Sequence, residues 1–297
     1  SMVGSRNYFD TAIDGQVNVA IEKRQPGSTF KPFAYATAFT EGFEPETPIY
    51  DVPINFGPDG SGNEYRPENY DGKYRGRMTM REALSQSLNI PAVSVLYLAG
   101  IQDTINTATR MGITTLTDPS RYGLALVLGG AEVRLLDITG AFGIFGQEGR
   151  RAPVDGIQSV QDTDGKELYF KTTPEEVLQP EVARKINSIL SDNKARTPTF
   201  GPRSPLAFPA NITVAAKTGT TQNFRDAWTI GYTPRIAVGV WTGNNNNTPM
   251  KPGSDGIYVA APLWREYMDF LLTRYPETGF HDYIHKTPEA LQSFGTG

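Results

Sequence analysis

From Ser28 to Phe39 apolar residues recur at Phe30, Phe33, Ala34 and Ala38, the spacing of one buried helix face. Pro32 falls in the first turns, where a missing N–H costs least, and Glu41-Gly42 ends the run. Residues 51–76 are dense in Gly, Asp, Asn and Pro and predict a long surface excursion. The helical pattern resumes at Thr79, with Glu82 three residues on as capping-box partner, and leads through Leu84 towards Ser87. Further helices are expected from Ile90 or Pro91 to Leu98, over about Thr104–Met111, and over Glu181–Leu190. Leu124–Gly130, followed by Val133, Leu136 and Phe142, reads as a buried helix. A closing helix over about Ala260–Leu272 would carry Leu263, Tyr267, Phe270 and Leu271 on its apolar face.

Strand patterns come late. Residues 157–170, centred on Asp162-Thr163-Asp164-Gly165, predict a hairpin, and Thr197–Pro209, with four prolines, a surface linker. Three strands follow: Ile212–Lys217, Asp226–Tyr232 and Ile236–Trp241. Their short connections imply antiparallel pairing. Helices first and a meander of strands afterwards make the class α+β.

Composition narrows the chemistry. The 297 residues include no cysteine and two histidines, His281 and His285, and carry a formal net charge of −4. Thiol nucleophiles, disulfides and cysteine-ligated metals are excluded, and a serine nucleophile would need a lysine or carboxylate as its base. The acidic balance argues against a nucleic-acid partner, and no apolar run reaches the roughly 18 residues of a membrane helix. The i, i+4 spacing of the histidines suits a metal on a helix, but Gly279 and Pro288 around them favour a loose tail. The histidines are therefore not expected to form a metal site.

Three constellations hold reactive groups. Ser28-Thr29-Phe30-Lys31 sets a hydroxyl one helical turn from an amine, at a helix N-terminus whose free N–H groups suit a developing oxyanion. By itself the same pattern describes a serine cap and a solvated lysine. Ser87-Leu88-Asn89 lies between two helices, where both polar residues would also serve as caps. Lys217-Thr218-Gly219-Thr220 ends a strand, with Gly219 permitting close backbone approach and the hydroxyls and amine suited to a carboxylate. Singly, each is commonplace.

Together and in this order they resemble the signature of penicillin-binding proteins and serine β-lactamases. The chain is most similar to the transpeptidase domain of class A, bifunctional penicillin-binding proteins. The likeness runs from Met2-Val3-Gly4-Ser5 through Arg24–Pro32, Arg81–Leu84, Ser87–Pro91, Ala216–Thr220 and Asp226-Ala227-Trp228 to Gly231-Tyr232-Thr233-Pro234, most of the chain. The resemblance implies a penicillin-binding-protein/β-lactamase-like fold: a central antiparallel sheet of about five strands, flanked by helices, beside a helical subdomain. It implies Ser28 as nucleophile, Lys31 as general base, Ser87 in proton transfer, Asn89 orienting the donor peptide and Lys217 near both serines. Thr218, Gly219 and Thr220 would bind the substrate carboxylate, with the Ser28 and Thr220 N–H groups as oxyanion hole. The implied partners are peptidoglycan stem peptides and β-lactam antibiotics, without cofactor, on the outer face of the bacterial cytoplasmic membrane. Strands that ordinarily precede Met2-Val3-Gly4-Ser5, a glycosyltransferase domain and a membrane anchor are expected to be missing from residues 1–297.

Two alternatives share these motifs. A β-lactamase needs a group that activates water, and neither Glu132 nor Glu148 has a context that assigns it; Leu88 also stands where many β-lactamases have aspartate. A penicillin-sensing receptor domain would be acylated but act as a binding module. Asp226 is expected to be structural, and Tyr65, Tyr70, Tyr74 and Trp241 are candidates for lining the groove.

Overall fold

The computed structural model describes residues 2–286 apart from 59–61, 158, 169–172 and 277. After a single-turn 3-10 helix at Gly27–Phe30, helix α1 spans Lys31–Thr40, and every residue from Lys31 to Phe39 is buried. The sequence pattern suggests one buried face. Instead α1 is the axis of the helical half, enclosed by α3 (Asn89–Ala99), α4 (Ile101–Arg110) and α6 (Pro180–Leu190). A helix apolar all round belongs inside a core. Phe33 meets Phe142 and Phe145 of α5 (Leu135–Gly146) with ring centroids 6.0 Å apart in each pair.

The 51–76 excursion leaves from β1 (Pro48–Asp51) and returns into β2 (Gly76–Thr79), which pair antiparallel from Pro48↔Thr79 to Asp51↔Gly76. Thr79 then caps α2 (Met80–Ser85), and both halves of the Thr79–Glu82 capping box form. The 124–142 stretch is not one helix: a 3-10 turn at Leu124–Leu128 stops at Gly129, in left-handed conformation (φ 89°), before α5 begins. The hairpin forms where the sequence puts it, pairing Val160–Gln161 with Glu167–Leu168, although residues 158, 169 and 170 of its span lie outside the described residues.

The main sheet has the order β5-β4-β3, with β3 at Ala215–Thr220, β4 at Asp226–Tyr232 and β5 at Ala237–Gly243, all antiparallel. About five strands were expected; the described residues give this sheet three. The segment before Lys23 runs in turns and a 3-10 turn capped by Asp10, and Lys23–Arg24 pairs with Val133–Arg134 instead of joining the sheet. Strand β3 also starts and ends later than expected, because β4 pairs with it from Tyr232↔Ala215 to Ala227↔Thr220. Lys217–Thr220 therefore lies inside the ladder and not beyond it.

Both faces of the sheet are covered. Trp228, Ile230 and Tyr232 join the helical core, while Val214, Ala216 and Val238 pack under α9 (Ala261–Arg274), which follows a short α8 (Gly256–Val259). Of the apolar face assigned to α9 from sequence only Leu271 packs against this core, partly buried. Ala261, Trp264 and Met268 are buried, whereas Leu263, Tyr267 and Phe270 are 57%, 42% and 48% exposed. The Trp264 ring decides this by lying over Gly231, where a Cβ would sit 2.2 Å from it. The expected linker at 197–209 begins as helix α7 (Asn193–Phe200), nucleated by Asp192 accepting from the Ala195 N–H at 2.9 Å. Four prolines in the composition hid that cap.

A buried ion pair ties α6 to the loop after α1: Lys185 Nζ stands 2.8 Å from Glu44 Oε1, with both residues at most 5% exposed. Removing one partner strands a buried charge, so Glu44→Ala should lower the unfolding free energy by about 3–5 kcal/mol. The double variant Glu44→Met/Lys185→Met should cost much less. Urea denaturation of the two variants checks this, and equal losses would contradict it.

Candidate active site

Ser28 lies in the 3-10 turn and Lys31 opens α1 one turn later. The turn is pressed against β3. Gly27 has φ +54°, a region L side chains avoid, and a Cβ there would lie 2.6 Å from Thr220 O. Gly219 is similarly obligatory, since its Cβ would meet Pro26 O at 2.4 Å. Across the ladder, Trp228 is the register partner of Gly219, and its indole N–H donates to Gln25 O at 2.8 Å. Two glycines and one indole thus bring the Ser28 backbone alongside Thr220. Among the described residues the Ser28 hydroxyl has no hydrogen-bond partner, and the side chain remains partly exposed.

Ser87 and Asn89 reach the same place from the α2–α3 junction. Ser87 adopts φ 61°, uncommon for a residue with a side chain, and this turns its carbonyl and hydroxyl towards the two lysines. Lys31 Nζ donates to Ser87 O at 2.6 Å and to Asn89 Oδ1 at 2.7 Å. Lys217 Nζ donates to Ser87 Oγ at 2.6 Å and to Thr218 O at 2.9 Å. Lys31 and Lys217, 186 positions apart in the chain, therefore share one tight turn as acceptor. The structure brings together Lys31, Ser87, Asn89 and Lys217 by direct hydrogen bonds, and sets the residues on either side of Ser28 against strand β3, Gly27 close to the Thr220 backbone and Pro26 and Thr29 close to Gly219.

Strand β3 is the edge of its sheet, so one side of its backbone has no strand partner among the described residues. The pleat sends Lys217 and Gly219 towards the Ser28 turn and Thr218 and Thr220 the other way. Thr220 Oγ1 accepts from the Gly256 N–H at 3.0 Å, which leaves its own hydrogen to donate elsewhere.

Burial sets the electrostatics. Lys31 is fully buried and Lys217 only 3% exposed. Desolvation, with repulsion from Lys217 second, holds the Lys31 amine well below the ordinary lysine range. Lys217 is lowered to about 7, again by burial first and then by the Arg196 guanidinium. Arg196, buried on α7, is itself lowered to about 10 by desolvation. Sequence reasoning missed Arg196, because α7 was read as a linker, and missed Gly256, whose role is carried by a backbone N–H. A cap-and-helix signal at Asp192 was available for the first.

The remaining candidates have contacts elsewhere or lie at the surface. Asp226 accepts from the Trp241 indole at 2.9 Å and the Thr221 hydroxyl at 3.2 Å, holding the β3–β4 turn. Glu148 is paired with Arg184 at 2.8 Å and contacts His281 at 2.6 Å. Glu132 borders a polar cavity of about 260 Å3 between Arg24 and Arg225. His285 packs against Tyr283 with the rings tilted, residues 278–286 are not helical, and no cluster of metal-ligating side chains occurs among the described residues. Tyr70 is 74% exposed and donates to Asp255 Oδ2 at 3.2 Å, joining the excursion to the residue before α8. Tyr65 packs on Phe56, Tyr74 is exposed, and Trp241 lies under Arg24. No helix among the described residues is long and apolar enough to cross a membrane.

Known proteins share this chain's sequence and fold over most of its length. The chain is 33% identical to penicillin-binding protein 1C of Escherichia coli K12 over 274 residues, covering 92% of this chain and 33% of that protein. It is 30% identical to penicillin-binding protein 1A of Neisseria gonorrhoeae over 279 residues, covering 92% of this chain and 34% of that one. The chain thus spans about a third of the length of these relatives. Among solved structures, penicillin-binding protein 1A of Haemophilus influenzae superposes with a TM-score of 0.78 at 25% identity, covering 93% of this chain and 46% of that one. PonA1 of Mycobacterium tuberculosis in complex with penicillin V has the same TM-score at 24% identity, covering 91% and 74%. The family model described as the penicillin binding protein transpeptidase domain matches residues 1–269. The chain therefore belongs to the penicillin-binding protein transpeptidase domain family.

Proposed function

We propose that this domain is a serine D,D-transpeptidase that cross-links peptidoglycan stem peptides and is inactivated by β-lactams. The observation that carries the reading is the docking of two buried amines on the Ser87–Asn89 turn, one of them the amine of Lys31, three residues after Ser28.

A neutral amine has two hydrogens and one lone pair. Ser87 O and Asn89 Oδ1 take the two Lys31 hydrogens, so the lone pair is left for the Ser28 proton. Burial, with a second amine close by, favours the neutral form of Lys31. Ser28 Oγ then attacks the carbonyl of the penultimate D-alanine, and its proton passes to Lys31 Nζ. The oxyanion is held by the N–H groups of Ser28 and Thr220; a lost donor in such a hole costs about 3–4 kcal/mol. Ser87 Oγ, which accepts from Lys217, passes its proton to the departing D-alanine amine and is reprotonated at the expense of Lys31, which becomes neutral again. Asn89 also orients the donor amide. An amine of a second stem peptide then attacks the acyl-enzyme and gives its proton to Lys31, which returns it to Ser28 Oγ as the serine leaves. The donor lies along the free edge of β3, where Lys217, Thr218 and Thr220 grip its terminal carboxylate. Peptidoglycan is cross-linked on the outer face of the bacterial cytoplasmic membrane, and the domain is proposed to act there.

Ser28→Ala should abolish covalent labelling by a fluorescent penicillin while the thermal midpoint moves by only a few degrees; retained labelling would overturn the nucleophile. The acylation rate should fall as pH drops through the depressed Lys31 pKa, because protonation removes the base. Lys217→Met removes the neighbouring positive charge, so Lys31 should rise and the acid limb should move to higher pH. Stopped-flow acylation across about pH 5–10 measures both limbs, and an unmoved acid limb in Lys217→Met would refute the coupling.

A further inference from the structure

The 52–75 excursion contains a buried amide that no step above uses. Asn69 is 5% exposed and makes four hydrogen bonds. Its Oδ1 accepts from the backbone N–H of Asn89 at 2.9 Å and of Ile90 at 3.4 Å. Its Nδ2 donates to Asp51 Oδ1 at 2.6 Å and to Lys73 O at 2.8 Å. Asp51 is fully buried at the end of β1, and its second oxygen accepts from Arg75 N at 2.9 Å.

The need for this amide follows from α3. The first N–H groups of a helix lack intrahelical partners, and the residue in the N-cap position usually supplies an oxygen. Here that residue is Leu88, which has none, and Pro91 in the first turn has no N–H to satisfy. Asn69 supplies the missing acceptor from a loop 19 positions upstream of Leu88. Its neighbour fixes the other end of Asn89: Asn89 Nδ2 donates to Glu68 O at 2.8 Å, which turns Asn89 Oδ1 towards Lys31 Nζ. Main chain and side chain of Asn89 are thus both set by residues 68–69.

Resting on the transpeptidase reading, we propose that Asn69, held by Asp51, is a positioning residue: it sets the Ser87–Asn89 turn so that the two Lys31 acceptors aim the amine at Ser28. The excursion is then part of the catalytic apparatus, although it contributes no group that touches substrate in that role. Displacement of a catalytic group by about 1 Å can cost about 100-fold in rate.

The experiment is penicillin labelling of wild type, Asn69→Ala, and the exchange double variant Asp51→Asn/Asn69→Asp, with thermal melts alongside. The exchange keeps the pairing between positions 51 and 69 with its chemistry transposed, and gives up only the hydrogen bond to Lys73 O. The amide placed at position 51 would donate to the carboxylate placed at position 69, and that carboxylate still accepts from the N–H groups of Asn89 and Ile90. Asn69→Ala should reach the wild-type labelled fraction, with its limiting acylation rate constant lowered at least about tenfold and its half-saturating penicillin concentration nearly unchanged. The exchange should recover most of the rate. A merely structural amide would instead lower the labelled fraction and leave the rate constant of the folded molecules unchanged; that result overturns the proposal. So does a folded exchange variant as slow as Asn69→Ala. If Asn69→Ala does not fold, Asn69→Ser, which keeps a hydroxyl acceptor, is read by the same criteria. Wild-type labelling at Ser28 is scored separately, so failure here leaves the nucleophile standing, and absent wild-type labelling rejects the broader reading.

Discussion

Two lysine side chains buried against one left-handed turn impose the constraint on which the site depends. An ammonium group in a dry interior loses its hydration, and two of them repel. Among the described residues no carboxylate pairs with either amine: Lys31 is bonded to a carbonyl and an amide oxygen, Lys217 to a hydroxyl and a carbonyl. These acceptors orient the amines without restoring their charge. The contrast lies in the same molecule, where buried Lys185 has Glu44 at 2.8 Å. A pair of buried amines without a counter-ion destabilises the fold and is retained where a neutral amine has work to do.

Three separate parts of the chain maintain that arrangement. The all-round burial of α1 fixes Lys31, because a helix packed on every side cannot rotate to release its first residue. The β3–β4 register fixes Lys217, opposite Ile230 in the middle of the ladder. The Ser87 turn between α2 and α3 receives both. Gly27 and Gly219 then let the serine turn and the strand touch backbone to backbone, closer than any side chain would permit. Helical half and sheet are thereby joined at the reacting atoms, with the edge of β3 left for an extended peptide.

Much of this was readable from the residues, and the failures have physical causes. Local signals held: the Thr79–Glu82 capping box forms, and strand Asp226–Tyr232 appears at its expected bounds. The three motifs converge as their joint occurrence implied, but no single spacing could show that Lys31 and Lys217 meet at Ser87. Tertiary demands overrode local patterns elsewhere. Trp264 rotates α9 away from its most apolar face, and Asp192 starts a helix in a proline-rich stretch. Asn69 was invisible for a different reason: it caps a helix distant in sequence, and an asparagine in a loop gives no sign of which N–H groups it will satisfy.

The state of the Lys31 amine is the most direct measure of whether this constraint drives the chemistry. Heteronuclear NMR of the lysine Cε and Nζ signals through a pH titration, assigned with Lys31→Met and Lys217→Met, reads it without substrate. The account predicts that the signals lost in those two variants titrate far below the remaining lysines, with the Lys217 step at about 7. Titration of the Lys31 signal alongside the surface lysines, near about 10.4, would contradict it.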